Sequence, residues 1–152
     1  MKRKLFLDTI ISKIDAKGRV SVPAEYRSVL EEMGTELILF GSFTSPCIEG
    51  LGSSFLEKMA ERIENNYSFF SPEQQDLTSL IFAESKLFFP DSTGRISLTE
   101  RLIKHAELTD SAVFVGKGKT FQIWNPDLLR EEQKKIRKRL ETTPLVVSMK
   151  EE

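Results

Sequence analysis

The chain has 152 residues, enough for one domain or two small ones. Apolar residues make up 39% and charged residues 30%, the balance of a globular chain, and no run approaches the roughly 20 apolar residues of a membrane span. A single cysteine (Cys47) and a single histidine (His105) leave no internal disulfide framework and no multi-Cys or paired-His site, so no metal or cofactor is expected. The opening Met1–Leu7 imitates a signal peptide, but Asp8 cuts the apolar run short, and the expected compartment is a reducing cytoplasm. The net charge of −1 hides an asymmetry: residues 1–27 carry +4, residues 28–127 carry −7 and residues 128–152 carry +2. A basic N-terminal surface (Lys2, Arg3, Lys4, Lys13, Lys17, Arg19) therefore sits on an acidic body.

In chain order, the first readable element is a turn. Asp15-Ala-Lys-Gly18 places an aspartate to cap the turn backbone and a glycine to supply positive φ. Val20-Ser21-Val22 alternates as a half-buried strand does. Pro23 opens a helix with Tyr26, Val29, Leu30 and Met33 on one side, and Gly34 ends it. Leu37–Phe40 reads as a short apolar strand, with its hairpin partner expected over Phe43–Ile48.

Two helices follow. Ser54 with Glu57 reads as a capping box ahead of Phe55, Met59, Ile63 and Tyr67. Ser71-Pro72 reads as cap and first position of a second helix bearing Leu77, Leu80 and Ile81.

The chain then repeats itself. Asp91-Ser-Thr-Gly94-Arg95-Ile-Ser-Leu98 restates Asp15-Ala-Lys-Gly18-Arg19-Val-Ser-Val22 at a spacing of 76. Asp110–Gly116 restates Thr35–Gly41 at a spacing of 75, and Ile48 and Ile123 keep that offset, so one deletion between the blocks is expected. Each unit reads as strand, turn, strand, short helix and hairpin, too small to bury a core alone, so the two copies should cover each other. Gly116-Lys-Gly-Lys119 is the second hairpin turn; it lacks the spacing of a phosphate loop. Asn125-Pro126 starts a last helix, with Leu128, Leu129, Ile136 and Leu140 on one side and Lys134, Lys135, Arg137, Lys138 and Arg139 on the other. Beyond Thr142 the chain should fray.

These residues resemble a known family. Asp15-Ala-Lys-Gly-Arg-Val-Ser-Val-Pro-Ala-Glu-Tyr-Arg27 is similar to the first-repeat signature of the MraZ family, which belongs to the AbrB-like swapped-hairpin superfamily. Asp91–Arg95 and Phe114–Pro126 resemble its second repeat, and the likeness runs from about residue 5 to residue 140. It implies an α+β chain, mainly β with peripheral helices, whose two pseudo-repeated AbrB-like swapped-hairpin units form a compact β-barrel. The implied boundaries are a first repeat at 5–52, a helical insert at 53–84, a second repeat at 85–127 and a C-terminal helix and tail at 128–152. The resemblance also implies a ring-shaped homo-oligomer that binds short repeated promoter elements of the division and cell-wall gene cluster. Such a chain would be cytoplasmic and nucleoid-associated, with double-stranded DNA and itself as partners and neither membrane nor small-molecule substrate. The family ties its Asp-x-x-x-Arg motif to DNA contact, which carries over to Asp15 with Arg19 and to Asp91 with Arg95. Two departures stand out: Thr99 occupies the place of the usual proline, and the second copy lacks a counterpart of Lys17.

The side-chain chemistry is consistent with that role. The Arg19 fork matches the guanine acceptors of the major groove, while Lys17 and Lys13 suit phosphates. Asp15 would repel phosphate, so its expected work is to cap the turn and steer Arg19, with Gly18 shaping the loop; Asp91 and Gly94 do the same for Arg95. The plainer alternative is that both Asp–Arg pairs are only turn ties. No catalytic constellation is present, so no enzyme is expected: His105 reads as a surface or interface residue, Cys47 as buried, and Phe121 and Trp124 as core. The rival reading is an antitoxin-like or assembly module without specific DNA recognition.

Overall fold

A computed structural model describes residues 4–147. Its elements are β1 (Thr9–Lys13), β2 (Arg19–Ser21), α1 (Ala24–Glu32), β3 (Leu37–Gly41), β4 (Ile48–Gly52), α2 (Ser53–Asn66), α3 (Pro72–Ile81), β5 (Lys86–Phe88), β6 (Arg95–Ser97), α4 (Glu100–His105), β7 (Ser111–Gly116), β8 (Phe121–Trp124) and α5 (Pro126–Thr142). The fold is α+β. A six-stranded antiparallel sheet runs β1-β7-β8-β4-β3-β5, and β2 and β6 form a separate ribbon. Among the described residues no ladder joins β1 to β5, so the strands make an open sheet and a ribbon where the resemblance implies a closed barrel.

The two sequence copies are interlocked. The first strand of each copy pairs with the hairpin of the other: β1 lies on β7, and β5 lies on β3. The registers correspond, with Ser12 opposite Ala112 and Phe88 opposite Leu37, and exchanging the copies reverses the strand order onto itself. At the middle of the sheet, Ile48 faces its counterpart Ile123.

Strand alternation divides the sheet into two faces. Leu37, Leu39, Ile48, Ala112, Phe114, Phe121 and Ile123 point into the main core, joined by Val20 and Ile96 from the ribbon and by Tyr26, Val29 and Leu30 from α1. Four rings interlock there: Phe121 lies 5.0 Å from both Phe6 and Tyr26 and 5.9 Å from Phe114. The Tyr26 hydroxyl donates to the Asp8 carbonyl at 2.9 Å, and burial pushes its pKa up to about 12, so it stays a donor. On the other face, α2 and α3 cover Ile38, Phe40 and Leu51, while the start of α5 covers Val113, Trp124 and Cys47.

Several local expectations hold. Ser71 caps α3 by accepting from Gln74 N–H, and Asn125 caps α5 by accepting from Asp127 and Leu128. Where the usual proline is missing, Thr99 caps α4 by accepting from Leu102 N–H.

Three expectations need correction. The partner of β3 is Ile48–Gly52, because Ser42–Cys47 is consumed by the loop that Ser42 and Cys47 close. Helix α2 starts at Ser53 and has no capping box: Thr35 Oγ1, remote in sequence, accepts from Ser54 N–H at 2.9 Å and takes over the cap. The repeats differ by two changes, not one. Helix α4 is three residues shorter than α1, and the following connection regains two. Both helices end alike, with Thr35 N–H donating to Leu30 and Leu108 N–H to Ile103, around left-handed Gly34 and Glu107.

Candidate nucleic-acid interface

The two Asp-x-x-Gly-Arg segments fold into nearly the same loop. In the first, Asp15 Oδ1 accepts from the backbone N–H groups of Lys17 (3.0 Å) and Arg19 (2.9 Å), and Asp15 Oδ2 takes Arg19 Nε–H at 2.6 Å. Gly18, at φ +79, lets the chain turn, and its N–H donates to the Asp15 carbonyl. In the second, Asp91 Oδ1 accepts from the N–H groups of Thr93 and Arg95 and from the Thr93 hydroxyl, around Gly94 at φ +84. There Arg95 Nε donates to Thr93 Oγ1 at 3.0 Å, and the Asp91 carboxylate stands at 3.4 Å. Thr93 thus occupies the place of Lys17 and moves the arginine onto a hydroxyl.

Both aspartates therefore cap their turns; Asp15 also holds Arg19, whereas Arg95 is held by Thr93. Each arginine has its inner nitrogen engaged within the loop, which restrains the side chain and leaves the donors of its outer nitrogens for other partners.

The ribbon brings the two loops together. Arg19 is opposite Ser97 and Arg95 is opposite Ser21, so all four side chains share one face of the ribbon. The arginines are diagonal neighbours, with α-carbons about 7–8 Å apart. Val20 and Ile96 fill the other face and are buried, whereas both serines are exposed and both arginines are more than a third exposed. The loops are also tied reciprocally, with Val22 N–H donating to the Gly94 carbonyl and Leu98 N–H to the Gly18 carbonyl.

Arg27 is a residue that the sequence reading passes over. Its Nε donates to the Val22 carbonyl, and its guanidinium lies over Gly94, where an added Cβ would meet Nε at 2.6 Å. The equivalent residue over Gly18 is Ile103. A third arginine therefore stands beside the second loop, at the place where the first loop has Ile103. The spacing of 76 between Arg27 and Ile103 was the available signal.

Of the other candidate residues, Lys17 is exposed at the first loop's tip and Lys13 is exposed at the end of β1. Lys4 is exposed, while Lys2 and Arg3 lie outside the described residues. Gly116–Lys119 is a hairpin turn, clasped by Phe6, which exchanges backbone hydrogen bonds with Gly118. Burial pushes the Cys47 thiol up to about 12, so it stays protonated at neutral pH, and Trp124 is core. The exposed His105 packs its imidazole against Gly41.

Hydrogen bonding lowers both loop carboxyls. For Asp15 the backbone N–H of Arg19 leads, followed by its guanidinium. For Asp91 the Thr93 hydroxyl leads, followed by the backbone N–H of Arg95, and the pKa falls from 3.8 to about 2. A depressed carboxylate stabilises the folded loop fully above its unfolded pKa and loses that contribution as pH falls through the folded one. The second loop should therefore stay tied down to about pH 4 and loosen toward about pH 2. Carboxyl titration followed by NMR should give Asp91 a midpoint well below an ordinary aspartate; an ordinary midpoint would show that the loop is untied in solution.

Comparison with known proteins places this geometry. A family profile described as "MraZ protein, putative antitoxin-like" matches residues 81–143. The protein named transcriptional regulator MraZ of Pelagibacter ubique (strain HTCC1062) is 43% identical over 123 residues, covering 80% of this chain and 79% of that one. Those of Gluconobacter oxydans (strain 621H) and Rickettsia akari (strain Hartford) are 39% and 38% identical, covering 91% and 88% of this chain and 86% and 90% of theirs. With this identity over most of the length of each pair, the chain belongs to the MraZ family of transcriptional regulators.

Proposed function

We propose that this chain is a sequence-specific, double-stranded DNA-binding regulator of transcription, working in the cytoplasm on the nucleoid as a ring-shaped homo-oligomer. Its target is a set of short repeated promoter elements of the division and cell-wall gene cluster. The observation that carries this reading is the β2–β6 ribbon, whose outer face holds Arg19, Arg95, Ser21 and Ser97, with Asp15 holding the Arg19 inner nitrogen and Thr93 that of Arg95. The major groove admits a two-stranded ribbon, and the arginine fork fits the edge of guanine. Lys17, Lys13 and the basic start of the chain then serve as phosphate contacts, which position the ribbon without reading sequence. The interlocked pairing of β1 with β7 and β5 with β3 supports reading residues 5–52 and 85–127 as AbrB-like swapped repeats around the insert at 53–84.

A single ribbon makes few phosphate contacts and grips weakly. Several ribbons on one ring can engage spaced repeats together and gain avidity through effective concentration. The test is a shift assay on DNA from upstream of the cluster against scrambled DNA, titrated with salt. Specific binding should fall on a log–log slope of about −0.9 per phosphate neutralised. Arg19→Ala should leave the assembly intact and abolish the specific shift. Unchanged shifts by that variant would refute the assignment of the ribbon, and equal binding of scrambled DNA would favour a module without sequence recognition.

A further inference from the structure

The last helix has a face that none of the described residues packs against as a core cluster. Helix α5 follows β8 as α2 follows β4, and both lie on the outer face of the sheet. On the first half, α3 completes the layer: Leu77, Ile81 and Phe82 close over Leu56, Met59 and Ile63 of α2. On the second half no helix among the described residues plays that part. Leu128 and Leu129 anchor α5, but every residue from Gln133 to Val147 is exposed, Ile136 and Leu140 included. This part, Gln133–Thr142, is about 15 Å of helix outside the buried clusters, with Ile136 and Leu140 37% and 43% exposed. An isolated helix of that length is marginal in water; here the packed turn at Leu128 and Leu129 seeds it, and covering Ile136 and Leu140 would add to its stability.

Charge identifies what would cover it. Residues 133–140 carry five bases and no acid. The insert over residues 53–84 carries six acids against two bases. Its α2–α3 connection also exposes Phe69 and Phe70, at 71% and 75%, with Phe70 held at φ +67, a conformation that a bulky side chain rarely adopts without cause. A basic arm with an apolar stripe and an acidic insert with an aromatic tip are complementary. They are different surfaces, so joining them head to tail between copies is the heterologous contact that closes rings.

We propose that the free end of α5 (Gln133–Thr142) is an assembly arm, which docks onto the acidic helical insert of a second copy of this chain and occupies there the role that α3 plays on the first half. This rests on the reading that the chain assembles with itself, and it assigns the basic face of α5 to a neighbouring subunit, not to DNA.

The test is solution mass by light scattering at about 0.15 M salt, with ellipticity as the check on folding. The full chain should run as a multiple of 17.4 kDa. A chain ending at Glu132, and the full-length Lys134→Glu, Arg137→Glu, Lys138→Glu variant, should both fall to the mass of one chain. The second of these alters only exposed side chains, so it keeps the test valid if the truncated chain folds poorly. Adding Glu61→Lys, Glu64→Lys and Glu73→Lys to the reversed arm should restore the wild-type mass, because both partners then carry opposite charge again. Wild-type mass in the reversed-arm variant would overturn the arm, most plainly if that variant also lost its DNA shift, which would make the helix a DNA contact. A wild-type chain that ran at single-chain mass would overturn the assembly reading and the arm with it.

Discussion

Phe121→Ala should cost the fold about 3–5 kcal/mol, the usual range for deleting a fully buried aromatic ring. Phe121 is fully buried and touches three other rings, Phe6, Tyr26 and Phe114, and through Phe6 and Tyr26 it ties the start of the chain and α1 to the second hairpin. A loss of this size is a large share of the 5–15 kcal/mol that holds a typical domain. Urea unfolding followed by ellipticity, at one fixed chain concentration, measures it. The same ring explains a glycine. Gly50 is opposite Phe121 in the ladder, and a Cβ there would sit 2.3 Å from the ring. Gly50→Ala should therefore destabilise the wild type and cost markedly less in the Phe121→Ala background, because the clash is then gone. Additive losses in that double-mutant cycle would mean that the ring does not press on the Gly50 backbone.

Arg95→Ala should also weaken specific DNA binding, by about tenfold or more, since a well-placed arginine fork is worth about 1–3 kcal/mol of discrimination. The sequence alone gives the second loop less to hold phosphate with, since it lacks a counterpart of Lys17. The ribbon changes the expectation, because Arg95 shares a face with Arg19 and is flanked by Arg27. Both variants should retain the wild-type unfolding midpoint to within about 1 kcal/mol, because exposed ion pairs contribute little to stability. Filter binding at several salt concentrations separates the roles. Loss of a base contact should reduce specific binding and leave the non-specific slope nearly unchanged, whereas Lys17→Ala should lower that slope by about one. If Arg95→Ala bound specific DNA like the wild type, the second loop would be a turn tie and nothing more.

Much of the candidate site was legible because its ties are short. Asp15 reaches Lys17 and Arg19 over two and four residues, and Asp91 does the same for Thr93 and Arg95. Residue type and spacing decide such contacts almost alone. The caps at Ser71 and Asn125 belong to the same class. The failures lie at long range. Thr35 caps α2 from 19 residues away and so displaces the Ser54 box, and the loop from Ser42 to Cys47 pushes β4 along the chain.

By itself, then, the sequence determined that two like units exist, where their turns lie, which faces of their strands are apolar, and that an aspartate caps the turn before the arginine in each. Only the tertiary structure decided that β1 joins β7 and β5 joins β3, that Arg19 and Arg95 share one face, and that Arg27 leans over the opposite loop. The reason lies in the repeat. Two copies with the same alternation offer each strand two hairpins of equal register and equal apolar fit, so local pattern cannot choose between them. The choice falls to the arrangement that buries both copies' apolar faces in one core, and that is a property of the whole chain.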